Sequence, residues 1–299
     1  MKKFLPILLS LFFAAALLVS PETAAAAVRN GLTLCTRTVI PSLFPFFAVT
    51  AFLLRLGIDS LLRPVFAPIM MPLFHLRGTC AVPLLAGLTG GYPTGAKTAA
   101  ELYEQGTLTR REAELLLGFC NNCGPGFLLG YVGTAILGSP RAGMVLLVIH
   151  FSAALLTGMI LCRLPRKNDH LPLPCPVPIH TLSPAKALTS AVSSALTSTL
   201  GICAYVVLFQ TAAALLPMLP PSILGGVEMV SGMAGLTPSA GGFIAAAGLT
   251  AWGGISVHCQ TASVTGELSL RYHTAGKVIQ TLLSVLLALL TANRVYGSL

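Results

Sequence analysis

The chain has 299 residues, of which 55% are hydrophobic and only 9% charged, with a formal net charge of +9 and a mean hydropathy of +0.83. A soluble domain carries about 25% charged residues, so this composition excludes an ordinary water-facing fold and points to a bilayer, which accepts apolar surface and penalises charge. The positive charge is not a nucleic-acid footprint, because no basic stripe interleaved with aromatic side chains is present.

Lys2 and Lys3 precede an apolar run over residues 4–20, long enough to cross a hydrocarbon core of about 30 Å as a helix. The small residues Ala24 to Ala27 would also suit a cleavable signal; an uncleaved first span is the expectation. Residues 39–57 read as a second span, kinked by Pro41 and Pro45. Residues 64–76 contain Pro64, Pro68 and Pro72, and residues 81–92 run into Gly90, Gly91 and Pro93. Residues 124–138 are short and glycine-rich, whereas residues 142–162 form a clean span anchored by Arg163. A polar, proline-rich loop follows over 163–186, flanked by Arg163, Arg166, Lys167 and Lys186, which places it on the cytoplasmic side. Residues 187–216 are a long span, 225–235 and 241–254 are again short and broken, and 278–292 closes the chain with Arg294 as its anchor. Irregular backbone at membrane depth is tolerated only where protein or a water-filled cavity satisfies its polar groups, so the broken segments imply a cavity.

The two halves resemble each other. Ala86-Gly87-Leu88-Thr89 recurs as Ala247-Gly248-Leu249-Thr250, Gly90-Gly91 then pairs with Gly253-Gly254, and Lys97-Thr98-Ala99 falls opposite Gln260-Thr261-Ala262. Paired broken segments in two halves point to a transporter binding site near the bilayer midplane. The expected fold is therefore all-α: a polytopic membrane protein with two related repeats of opposite orientation, residues 1–162 and 187–299, each containing re-entrant or broken helices and joined by the 163–186 loop. The two breaks are expected to meet, bringing Lys97 near Gln260.

Polar chemistry concentrates at these breaks. GLTGGYPTGAKT (residues 87–98) lacks the lysine directly after the second glycine that a phosphate-binding loop requires, since Ala96 intervenes. Gly87, Gly91 and Gly95 instead allow close helix approach. Pro93 fits the first turn of a new helix whose amides would favour an anion, with Lys97 one turn in, able to reinforce that field or to pair with Glu101. Asn121 and Asn122, between Cys120 and Cys123, offer either a helix cap or a ligand contact. One C-x-x-C without a second pair or a His pair is not a zinc site, and no metal or cofactor is expected. Ser256, His258 and Gln260 follow the second break and lack the acid partner and oxyanion hole of a hydrolase, so they read as pore-lining or solute-binding groups. Glu228 is a candidate for binding a coupling cation or relaying a proton. Glu267 and Arg271 have the spacing of a helical ion pair.

PSLFPFF (41–47), GGYPTGAKTAAELYEQG (90–106), FCNNCGPGFLLGYVG (119–133) and GGISVHCQ (253–260) together resemble the YlbJ-like sporulation integral membrane proteins, of the nucleoside recognition or Gate domain group. The resemblance implies a multi-pass bacterial cell-membrane protein, or one of the membrane around the developing spore, distantly similar to concentrative nucleoside transporters. Carried over by motif, it falls on Tyr92, Pro93, Gly95, Lys97, Asn121, Asn122, Ser256, His258 and Gln260. Nucleoside carriers of that kind use carboxylates and amides near their hairpins; here the breaks offer Lys97 and His258. A small anionic solute is thus expected, dipicolinate being a concrete candidate whose ring would stack on Tyr92 or Trp252. A non-transporting scaffold for spore-envelope assembly and a nucleoside transporter are the competing readings, and a homo-oligomer is compatible with all three.

Overall fold

The computed structural model describes residues 4–164, 183–215 and 220–297. Every regular element among them is helical. In chain order they are α1 (Phe4–Val19), α2 (Pro21–Leu34), α3 (Ile40–Arg55), α4 (Ile58–Phe74), α5 (Ala81–Gly90), α6 (Thr94–Glu104) and α7 (Arg110–Leu117). A π-helical stretch, Phe127–Ile136, leads into α8 (Pro140–Arg163). The second half holds α9 (Pro184–Ala214), α10 (Pro221–Val227), α11 (Met229–Ala234), α12 (Ala240–Trp252), α13 (Gly254–Val264) and α14 (Arg271–Tyr296).

Among the described residues, four helical segments are long and apolar enough to cross a membrane: α8, α9, the α12–α13 run and α14. Two bent pairs raise the number to six, α1 with α2 at 105° and α4 with α5 at 90°. The long helices are patterned inside out. On α14, Val278, Leu282, Leu286 and Leu290 are exposed while Gln280, Ser284, Ala288 and Ala292 are buried. On α9, Leu188, Val192, Leu196 and Leu200 face outward while Ala187, Ala191, Ala195 and Thr199 face in. In lipid there is no hydrophobic drive between helices, so small residues make the close contacts and large apolar ones meet the tails. The chain is a multi-pass membrane protein.

Several expected boundaries are corrected. Residues 4–20 do not stand as a lone span, because α1 is only 16 residues long and turns sharply into α2. Residues 39–57 correspond to α3, which continues from α2 through a π-helical stretch, Cys35–Val39, packs along α9 and is not among the candidate spans. The last span begins at Arg271 rather than Val278. Glu267 precedes α14 in a turn, and it forms no ion pair with Arg271 among the described residues. The expected loop 163–186 lies mostly outside the described residues.

α14 is the central post of the second half, packed on α12, α8 and α7, while α9 carries α2 and α3. The segment leading into α5 is clamped onto α7: Arg77 Nε and Nη2 donate to the two oxygens of Glu112 at 2.6 and 2.5 Å. Glu112 also closes a capping box with Thr109 at the start of α7. Burial pushes the Glu112 carboxyl up, but hydrogen bonds from Arg77 and Thr109 more than offset it and leave it below its ordinary value.

Candidate functional site

The first break is built from glycine. α5 ends at Gly90, Gly91 adopts a positive φ of 80° that a side chain would oppose, and residues 91–100 are all buried. The partner of Gly87 and Gly95 is not a second helix but non-helical backbone. A Cβ at Gly87 would lie 1.6 Å from the Cys120 carbonyl oxygen and one at Gly95 2.0 Å from it. The chain of Cys120 therefore runs in a notch between these two glycines, and Gly124 rests against Gly91. This is how a non-helical run, residues 121–124, passes through the protein interior.

Its buried backbone groups need partners, and side chains from distant helices supply them. Lys277 Nζ donates to the Asn121 carbonyl at 2.5 Å, and the Cys123 amide donates to His150 Nε2 at 3.0 Å. Because an amide can only donate, Nε2 of His150 is the unprotonated nitrogen. Asn121 Nδ2 donates to Thr261 Oγ1 at 2.7 Å, which ties the run to α13. Gln280 completes the network. Its Oε1 accepts from Lys277 at 3.0 Å and its Nε2 donates to Asn122 Oδ1 at 2.9 Å. Lys277 also stands 5.0 Å from the centroid of the Tyr92 ring, and the Tyr92 hydroxyl donates to the Thr250 carbonyl on α12.

A cavity of about 650 Å³ adjoins this network and shares Tyr92 and Cys123 with it. Gly90, Gly91 and Tyr92 of the first break and Val257 and Gln260 beyond the second share its wall with Cys123, Phe127, Tyr131, Glu228 and Arg37. The first break and the helix that follows the second thus share one cavity, while Gly253 and Gly254 at the junction of α12 and α13 are not on its lining.

Not every candidate faces it. Lys97 is absent from the lining: it points between α3 and α9, donating to the Ser194 carbonyl at 3.2 Å, 3.9 Å from Glu101 and 4.7 Å from the Phe47 ring centroid. The start of α6 is buried, and its Thr94 and Lys97 amides bond the carbonyls of Gly91 and Pro93. Asn121 and Asn122 belong to the network and are not on the cavity wall. Ser256 accepts from Gln260 Nε2 at 3.1 Å. His258 lies between Trp252, to which its ring is tilted, and His273, which it meets edge-on, at 4.5 and 4.8 Å between ring centroids. Glu228 is itself the break between α10 and α11, where its oxygens accept from the Val230 and Ser231 amides and contact Gln210. No group of three metal-ligating side chains occurs among the described residues.

Sequence reasoning misses Lys277, Gln280 and His150. Starting the last span at Val278 leaves Lys277 one residue outside it, where a lysine reads as an interfacial anchor. Taken as Arg271–Tyr296, the span holds one lysine in its interior, the kind of intramembrane charge that marks function by default.

A family model described as Gate, nucleoside recognition, matches residues 36–294. The sporulation integral membrane protein YlbJ of Bacillus subtilis (strain 168) is 29% identical over 217 residues, 67% of this chain and 53% of that protein, so the chain aligns with about half of its length. No solved structure matches the chain.

Proposed function

Given that this chain belongs to the Gate, or nucleoside recognition, family, we propose that it is a membrane transporter for a small aromatic anion. The observation that carries this reading is the cavity of about 650 Å³ lined by the first break and by the helix that follows the second, a size suited to a small molecule. Residues 1–162 and 187–299 act as two Gate-like units, each supplying one break. Tyr92, Phe127 and Tyr131 offer ring faces for stacking, and Arg37 is the cationic side chain on the lining. The carboxylate of Glu228 is already engaged by the amides at the start of α11, which leaves Arg37 to answer a carboxylate on the solute. Lys97 and His258 drop out of that role because of where they point. The relative's name supports a setting in endospore formation, where dipicolinate, a small aromatic dianion, is the concrete candidate.

Glu228, Gln260 and Thr89 on the same lining favour a second reading, a nucleoside held by hydrogen bonds. Purified protein in liposomes decides between them. Uptake of labelled dipicolinate that falls on Arg37→Gln supports the anion. Uptake of uridine or adenosine without dipicolinate supports the nucleoside. A folded protein that moves neither class speaks for a scaffold role in the spore envelope.

A further inference from the structure

We propose that Lys277 is a proton-binding site that couples solute movement to a proton gradient. This rests on the transport reading above and assigns its driving ion. Lys277 is fully buried on a membrane-crossing helix, where an ammonium requires opposite charge or a complete set of acceptors. Among the described residues no carboxylate lies within ion-pair distance of it. It has two oxygen acceptors, the Asn121 carbonyl and Gln280 Oε1, and one ring face, Tyr92.

That count matches both protonation states. A neutral amine has two N–H bonds, and both oxygens are satisfied by it. An ammonium has a third, and the Tyr92 ring receives it as a cation–π contact. Gaining or losing a proton at Nζ therefore leaves the two hydrogen bonds in place and changes the hold on Tyr92 alone. Tyr92 forms the cavity wall directly after Gly91, and its hydroxyl is tied to α12. The proton state of Lys277 is thus read at the solute cavity through a single ring. One proton binds the Nζ lone pair from one side of the membrane and leaves it to the other, with no other reactant.

The titratable groups around it are Tyr92 from the first break, Cys120 and Cys123 from the extended run, His150 from α8, His258 from α13 and His273 on α14 itself. None is a carboxylate. α12 has no titratable side chain, and on α7 Glu112 and Glu114 are committed to Arg77 and Arg110. Glu228, on the wall of the same cavity, is held by the Val230 and Ser231 amides and makes no ion pair with Lys277 among the described residues.

The test uses the full chain in liposomes, with labelled dipicolinate and, in parallel, labelled uridine. Accumulation is measured under an imposed pH gradient with the membrane potential clamped at zero, and exchange is measured without a gradient. For wild type, a gradient of one pH unit changes accumulation by about tenfold for one proton per solute. Lys277→Met fills the same volume without charge. It also removes the hydrogen bonds to Asn121 and Gln280, so exchange is expected to fall, and gradient-driven accumulation is expected to be lost from the exchange that remains. Lys277→Arg, which cannot release its proton, is expected to lose accumulation likewise. A Lys277→Met protein that still accumulates solute with the gradient overturns the proposal, and so does one, folded as wild type, that loses exchange and accumulation together. Wild type that exchanges solute but ignores the gradient overturns the coupling and leaves the transport reading standing. Wild type that moves neither probe overturns both.

Discussion

The notch between Gly87 and Gly95 makes a sharp quantitative prediction for Gly95→Ala. The new methyl would sit 2.0 Å from the Cys120 carbonyl oxygen, where real Cβ contacts essentially never fall below 3.0 Å. Either α6 or the extended run must retreat by about 1 Å, and overpacking of that kind costs about 1–3 kcal/mol. α6 cannot slide toward α5, because the same methyl lies 2.9 Å from the Gly87 Cα. The run moves instead, which stretches the bonds from Lys277 to Asn121 and from Cys123 to His150, at about 1 kcal/mol each. Alanine returns up to about 1 kcal/mol in helix propensity. The net loss is about 3 kcal/mol, or roughly 6–12 °C in midpoint for a chain of this size. Thermal unfolding in detergent, followed by the fluorescence of Trp252, the single tryptophan, measures it. Gly201→Ala is the control, since a Cβ there meets nothing within 4 Å. Equal midpoints for the two variants would mean that the notch is not a tight contact and that the reasoning fails.

Gln280→Ala leaves Asn122 Oδ1 and Lys277 each short of a partner, and a stability loss of about 2 kcal/mol is expected in the same unfolding assay. Glu112→Gln weakens the grip of Arg77 at a site outside the candidate spans, by about 2 kcal/mol at neutral pH. The folded Glu112 carboxyl sits below its unfolded value. Its contribution is therefore present above the unfolded value of about 4.3 and is lost as pH falls through the folded one. The wild-type midpoint should drop in that acid window more steeply than that of the variant. Cys175, outside the described residues, should resist an impermeant thiol reagent in intact cells and react once the membrane is opened; ready labelling in intact cells refutes the cytoplasmic assignment of the loop.

Helix content and membrane setting were legible because charge scarcity and long apolar runs act over whole segments. The positions of the two breaks were legible because Gly90-Gly91 and Gly253-Gly254 punctuate otherwise apolar helices. The polar network was not, because its members come from three remote places. Asn121 and Asn122 sit in a run whose glycine cradle is some thirty residues earlier, while His150 and Gln280 are single polar side chains in apolar helices. Periodicity treats each as noise until tertiary packing brings them together. Lys97 misled for the opposite reason: its neighbours in sequence suggest a helix start open to an anion, whereas α3 and α9 fold over that start and use its charge.

The way Cys120 sits against Gly87 and Gly95 also bears on movement. Knobs set into holes must be lifted out before two surfaces part, and each knob changes rotamer on the way. Here main chain lies on main chain, with nothing inserted. Such a face separates or shears without unpacking a side chain, so its resistance comes from the polar ties at its ends, where Lys277, His150 and Thr261 hold the run. The joint is a smooth bearing with pins, and the pins are the hydrogen bonds.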